Sequence, residues 1–292
     1  MIDQAEVHWI LNGWCTLGCD YCPSRLNNID NGRNVEEYLT VIRKLQASRY
    51  KNAKSIKWKL GGGEPLQFPG LSIVLNEIKK MPSFVRLDTS GGETWFDLMS
   101  IINKIDHIKL SQHYWQNSSV LDFTIDLCKD NNVKLDVMIP LLPGKIDECR
   151  LKVSELVAQG INAHEQPLTN DAKGKYDLWD GYSLKDKYKI LGLPEDYQPP
   201  APPPRDPNQP DPQWVDPRII RDPEFVYTGK QCFAGVDFIF IGAKGFASAS
   251  DCGGRDLGNV FDPAWQAPDT SFACPMFQCL SERDRKIIRV NQ

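Results

Sequence analysis

Three cysteines fall within eight residues, Cys15-Thr-Leu-Gly-Cys19-Asp-Tyr-Cys22. Thiolates are soft ligands, and three of them can hold three irons of a cubane cluster while leaving the fourth iron open. A structural zinc normally takes four protein ligands, and no His or Cys close in sequence completes this set. A disulfide would leave one thiol over. The spacing therefore points to a metal cluster with a vacant coordination position, directly after an apolar run that reads as a strand.

A second segment ends another apolar run, Gly61-Gly62-Gly63-Glu64-Pro65. Glycines let backbone approach a ligand closely, and carbonyls at the end of a strand can accept hydrogen bonds from an ammonium group. Polar residues mark further run ends: Ser90 after the third, Ser111 and His113 after the fourth, and His164, Glu165 and Gln166 at the sixth. His113, Glu165 and Gln166 are the candidates for touching substrate, against the plainer alternative of solvated loop residues.

Four more cysteines gather late in the chain. Cys232 precedes and Cys252 follows a predicted hairpin, two strands at Val236 to Ile241 and Phe246 to Ser250 around Gly242-Ala243-Lys244-Gly245, while Cys274 and Cys279 stand five apart. Four thiolates are a complete set for zinc or for an iron–sulfur cluster, and spacing does not choose between them. Cys128 and Cys149 fall in predicted helices and read as small buried hydrophobes.

The elements that must position these groups alternate. Strands are predicted at Val7 to Asn12, Ser55 to Leu60, Val85 to Thr89, His107 to Ser111, Lys134 to Ile139 and Ile161 to Gln166. Helices are predicted between them at Val35 to Ala47, Leu71 to Lys80, Thr94 to Ile102, Ser119 to Asp130 and Asp147 to Gln159. In the second helix, Leu71, Val74, Leu75 and Ile78 recur at helical spacing, so one stripe faces a core. Strand and helix repeated give an α/β fold with a parallel sheet, and right-handed crossovers curl it toward a partial (β/α)6 barrel resembling a TIM barrel, with function at the carboxyl ends of the strands. After Leu168 the pattern breaks, and Gln198 to Pro217 holds nine prolines in twenty residues, a linker or a lid. The expected organisation is a barrel over residues 1–190, a proline-rich linker or lid over 191–218 and a small hairpin-containing cluster domain over 219–292.

Composition excludes several classes. With 34 basic and 38 acidic side chains among 292 residues, the net charge of -4 and the lack of basic clusters argue against nucleic acid as a partner. No apolar run approaches the roughly 20 residues that span a bilayer, and the first residues lack the features of a secretory signal, so no membrane partner is expected. Nine cysteines, an odd number and clustered, suit a reducing compartment in which thiols bind metal, and the chain reads as cytoplasmic.

The CxxxCxxC triplet followed by Gly-Gly-Glu-Pro resembles the radical S-adenosylmethionine (radical SAM) enzymes. That resemblance implies a 4Fe-4S cluster on Cys15, Cys19 and Cys22 whose open iron chelates S-adenosylmethionine, with reductive cleavage giving a 5'-deoxyadenosyl radical that removes a hydrogen atom from substrate. It places Tyr21 beside the adenine, Gly62, Gly63 and Glu64 on the amino group, and Ser90 and Ser111 near the ribose and carboxylate. The late cysteines, followed by Leu257-Gly258-Asn259-Val260, look like the twitch and SPASM extensions of some members. The full SPASM pattern carries seven cysteines for two clusters, so four suggest the twitch form, with one auxiliary 4Fe-4S cluster on Cys232, Cys252, Cys274 and Cys279 accepting an electron from the substrate radical. A flavodoxin- or ferredoxin-type donor is implied.

Many such relatives modify peptides or protein side chains, and others oxidise aminocyclitols or sugar alcohols. The first cluster cysteine lies fifteen residues from the start, which leaves no room for the peptide-clamping domain of several relatives and lowers the peptide reading without removing it. Oxidation or cross-linking of a peptide or protein substrate is the leading expectation, dehydrogenation or rearrangement of a small molecule the second. A non-catalytic iron–sulfur electron carrier is the third, and Gly62-Gly63-Glu64-Pro65 speaks against it, because a carrier needs no such loop.

Overall fold

The computed structural model describes residues 2–22, 33–91, 95–116, 118–170, 178–194, 231–249 and 255–273. Six strands alternate with five helices in its first half: β1 (Ile2–Ile10), α1 (Val35–Ala47), β2 (Ala53–Gly61), α2 (Leu71–Ile78), β3 (Ser83–Thr89), α3 (Trp95–Ile101), β4 (His107–Ser111), α4 (Ser118–Asp130), β5 (Lys134–Pro140), α5 (Ile146–Ala158) and β6 (Asn162–Gln166). These match the predicted elements to within a few residues, except that β1 begins five residues earlier than predicted. α6 (Leu184–Leu191) was not expected; Ser183 and Asp186 cap its start reciprocally and Gly192 ends it.

The first six strands are parallel and lie in sequence order, β1-β2-β3-β4-β5-β6. Sequential order with right-handed crossovers sends every helix to the same face, which is the logic of a barrel and not of a doubly wound sheet. Burial confirms it. Ile56, Trp58 and Leu60 of β2, Val85 and Leu87 of β3, Ile108 and Leu110 of β4 and Val137 of β5 are almost wholly buried, in one core with Tyr38, Ile42, Val74, Leu75, Leu98 and Leu121 of the helices.

The alternate residues of the same strands carry charge. Lys59 pairs with Glu6, Arg86 holds Asp88 through two contacts of 2.5 Å, and His107 Nε2 lies 2.8 Å from Asp136. The sheet is therefore apolar toward the helices and polar on the helix-free face.

β7 (Gln231–Cys232), β8 (Phe238–Ile241), β9 (Phe246–Ser248), β10 (Asp256–Asn259) and β11 (Phe272–Ala273) follow. The predicted hairpin is present as β8 and β9, and it joins the main sheet: β8 runs parallel to β1 with Val7 opposite Ile239, so the full order is β10-β9-β8-β1-β2-β3-β4-β5-β6. β7 and β11 form a separate two-stranded ribbon. The proline-rich stretch lies outside the described residues, and no described helix is long and apolar enough to cross a membrane.

Candidate functional site

The carboxyl ends of β1 to β4 meet around the cysteine loop. Tyr38 of α1, fully buried and stacked on Trp9 at 5.3 Å, donates its hydroxyl to the Leu11 carbonyl at 2.6 Å and so fixes the chain just before Cys15. Gly63 N donates to Asn12 O and Glu64 N to Trp14 O, which lays the glycine segment along the loop that leads into the triplet. A side chain at Gly63 would collide with the Trp14 carbonyl and one at Gly62 with Asn12. Close approach is why Gly63 is glycine, and at Gly62 a positive φ of 159° adds to it.

Glu64 is the hub of the site. Its carboxylate is 1% exposed and accepts four hydrogen bonds: from Leu66 N at 3.0 Å, Thr89 Oγ1 at 2.5 Å, Ser90 N at 2.8 Å and Ser90 Oγ at 2.5 Å. That fills the roughly four lone-pair positions of an ionised carboxylate. From Ser90 the network continues, because Gln116 donates to the Ser90 carbonyl at 2.8 Å and accepts from His113 N at 2.7 Å. His113 Nδ1 lies 2.6 Å from the Tyr21 hydroxyl and 3.9 Å from Cys19 Sγ. One polar circuit thus ties the triplet to the ends of β2, β3 and β4.

Cys15, Cys19 and Cys22 are partly exposed in the β1 loop, and Cys22 N closes a turn on Cys19 O at 3.0 Å. Burial raises the Cys15 thiol above its ordinary range, with the charges of Glu64 and Cys22 adding to the effect. Burial likewise pushes Cys19 up to about 11, opposed by a hydrogen bond from Tyr21 and reinforced by Cys15 and Cys22. The three thiols are near enough to repel one another as thiolates.

Native anSMEcpe with bound AdoMet shares this arrangement of elements: 98% of this chain and 83% of that one superpose with a TM-score of 0.52 at 13% identity. The same protein with bound AdoMet and the Kp18Cys peptide covers 89% of this chain and 78% of its own, with a TM-score of 0.53 at 14% identity. This chain has the fold of that protein. At this identity the likeness is one of fold; no protein-family model and no curated protein matches the sequence.

Cys15, Cys19 and Cys22 bring three soft donors into one loop. Among the described residues no three His, Cys, Asp or Glu side chains converge on one point that an ion could occupy. Three soft donors, each addressing a different iron, are what a cubane takes. The structure does bring a histidine to the triplet, which the sequence order conceals. His113 is nevertheless engaged with Tyr21, and burial lowers its imidazole to about 4.

Asn12 went unremarked in the sequence. It is 8% exposed, and its Nδ2 donates to the Glu64 carbonyl at 3.3 Å, which directs Oδ1 away; among the described residues that oxygen has no hydrogen-bond partner. A buried unpartnered acceptor beside Gly62 fits an ammonium donor. The signal was period two: Glu6, His8 and Ile10 are part-buried where Val7, Trp9 and Leu11 are fully buried, and Asn12 continues the former series.

Other predicted residues fare differently. Ser111 sits part-buried at the end of β4, opposite Met138, whereas Ser90 is committed to Glu64. Glu165 is a correction: it alternates with His164 and Gln166 on β6, shares the phase of Ala163, and is held at 3.1 Å by Arg150 of α5 on the helix side. The face that opens to the site carries His164 and Gln166, so the choice of Glu165 came from strand position without phase. Cys232 is buried on β7, opposite Phe272; Cys252, Cys274 and Cys279 lie outside the described residues.

Proposed function

We propose that this chain is a radical SAM enzyme that abstracts a hydrogen atom from a C–H bond of a peptide or protein substrate, with oxidation or cross-linking as the outcome. The observation that carries the reading is the approach of the Gly62-Gly63-Glu64 segment to the CxxxCxxC loop, at adjacent parallel strand ends of a fold shared with a protein that has bound AdoMet. The peptide in the second anSMEcpe structure supports the substrate class.

Cys15, Cys19 and Cys22 would hold a 4Fe-4S cluster, which when bound would supply the electron for cleavage of the S-adenosylmethionine sulfonium. Asn12 Oδ1 accepts from the ammonium of that substrate, and the glycines let its main chain approach. Glu64 acts as a positioning residue, because its carboxylate is already saturated. Tyr21, His113 and Trp115 gather with ring centroids 5.4 to 5.9 Å apart, His113 stacked on both neighbours, and Trp179 lies edge-on to Tyr21 at 6.1 Å, so aromatic rings line this side of the loop. Cys232, with Cys252, Cys274 and Cys279, would hold an auxiliary cluster of twitch type, whose chemistry would be removal of the electron left on the substrate.

A second reading, a small charged molecule as substrate, draws on the helix-free face with its Lys59, Arg86, Asp88 and Asp136. Anaerobically reconstituted, reduced protein is expected to release 5'-deoxyadenosine from S-adenosylmethionine. Replacing all three triplet cysteines with Ala should abolish that release and retain about four irons per chain, the content of one such cluster. Intact cluster without release, or zinc in place of iron, overturns the reading.

A further inference from the structure

We propose that Phe261, in the segment that follows the late hairpin, is a positioning residue for the cysteine triplet, acting through Tyr38 on the chain that enters Cys15. The inference rests on the function proposed above only in taking Cys15, Cys19 and Cys22 as cluster ligands. Tyr38 is the joint. It is fully buried on α1, and its hydroxyl donates to the Leu11 carbonyl at 2.6 Å. That hydroxyl stands at the far end of the side chain, so its aim depends on what holds the ring.

Three rings hold it. Trp9 of β1 stacks on Tyr38 with centroids 5.3 Å apart and 21° between planes, Phe68 meets it at 4.8 Å and 47°, and Phe261 meets it at 5.3 Å and 70°. Phe68 ends the short turn Pro65–Gln67 directly after Glu64. Gln67 of that turn clasps the triplet loop, accepting from Thr16 N at 3.3 Å and donating to Thr16 Oγ1 at 2.7 Å. Two of the braces thus belong to segments that build the site. The third comes from the C-terminal part of the chain.

Phe261 is only half-buried, yet its place is fixed from several sides. Its nitrogen donates to Asn259 Oδ1 at 3.0 Å, and Asn259 Nδ2 donates to the Lys244 carbonyl at 3.1 Å in the turn between β8 and β9. Its ring lies over Gly245, where an added Cβ would collide with it, and the Arg33 guanidinium sits 4.7 Å from its centroid. From α1, Lys44 Nζ donates to the Asp262 and Pro263 carbonyls, both at 2.9 Å, spanning 218 residues to the first. The late segment therefore grips β1 twice, through the β8 ladder and through Phe261 against Trp9 and Tyr38. Only the second grip reaches Leu11.

The test is hydrogen exchange of the full-length chain, read by mass spectrometry before any cluster is reconstituted. The reporting amides are Leu11, Gly63 and Glu64, which donate to the Gly61, Asn12 and Trp14 carbonyls. Phe261→Ala is expected to raise their exchange about tenfold, the scale of one lost aromatic pair, while α4 keeps its parent rate. Phe261→Leu keeps most of the volume and should return the rate to within about threefold of the parent. Tyr38→Phe keeps the ring and drops the hydroxyl; it should raise exchange at the same amides, and adding Phe261→Ala to it should change them less than about twofold. No rise in Phe261→Ala, an equal rise in α4, or a full tenfold rise on top of Tyr38→Phe overturns the proposal. If Phe261→Ala does not fold, Lys44→Ala loosens the same segment from the surface and should give a smaller rise at these amides; no rise there is then the overturning result. In reconstituted protein, the electron paramagnetic resonance signal that responds to S-adenosylmethionine should lose amplitude in Phe261→Ala and regain it in Phe261→Leu, and equal amplitudes refute the positioning role. A parent chain without such a signal overturns the proposed function and leaves the exchange result standing.

Discussion

Ser90 donates twice to one carboxylate oxygen of Glu64, from its backbone nitrogen at 2.8 Å and its hydroxyl at 2.5 Å, across 26 residues of sequence. The end of β3 is thereby fastened to the end of β2 at the point where the glycine segment turns. Glu64→Gln presents an amide NH2 where Ser90 or Thr89 now donates, leaving buried donors facing a donor. A loss of about 3 kcal/mol is expected, the scale of a charged hydrogen bond plus an unsatisfied group. Urea denaturation of variant and parent gives the difference; a change below about 1 kcal/mol would remove Glu64 from its role as hub.

Gly63→Ala tests the close approach. The added methyl meets the Trp14 carbonyl, which is main chain and cannot rotate away, so the loop leading to Cys15 must shift. Overpacking of this kind costs about 1 to 3 kcal/mol. The specific expectation is that iron bound at the triplet falls while far-ultraviolet circular dichroism is unchanged. Normal iron loading in a folded Gly63→Ala protein contradicts the fitted packing.

Asn12→Ala removes an acceptor that no group among the described residues uses. Affinity for S-adenosylmethionine should weaken by roughly tenfold or more, the effect of one hydrogen bond to a charged group. Stability should change little, because only the 3.3 Å contact to Glu64 is lost. Isothermal titration of the reconstituted variant measures this directly, and an unaltered dissociation constant assigns the ammonium elsewhere.

Much of this fold is legible because its helices and buried strand faces obey clean periods: α1 and β4 have their predicted bounds. The triplet and the glycine segment are legible because their chemistry is local. The circuit joining them is not. His113 reaches Cys19 across 94 residues, and Gln116 reaches Ser90 across 26, through contacts that only the strand register creates. Glu165 shows the complementary error, where the strand end was right and the phase was missed. The parallel union of β8 with β1 was equally hidden, since a hairpin signal fixes its own two strands and says nothing about the edge it joins.

Acid should weaken the protein through the polar face of the sheet. His107 and Asp136 face each other on β4 and β5, with Asn162 also donating to Asp136 at 2.5 Å. Burial lowers His107 below its ordinary 6.5 despite the attraction of Asp136. For Asp136, burial works upward, but the Asn162 hydrogen bond and His107 outweigh it and the net shift is downward. For both groups the unfolded chain binds protons more readily than the folded one, so stability rises with pH. The His107 contribution is complete above its unfolded value and drains away as pH falls through about 6.5; that of Asp136 follows below its ordinary 3.8. One proton gives a slope of at most about 1.4 kcal/mol per pH unit. His107→Gln can still donate to Asp136 but does not titrate. Urea midpoints at pH 7.5 and 5.5 should therefore drop less in His107→Gln than in the parent, and equal drops would place the acid sensitivity on another group.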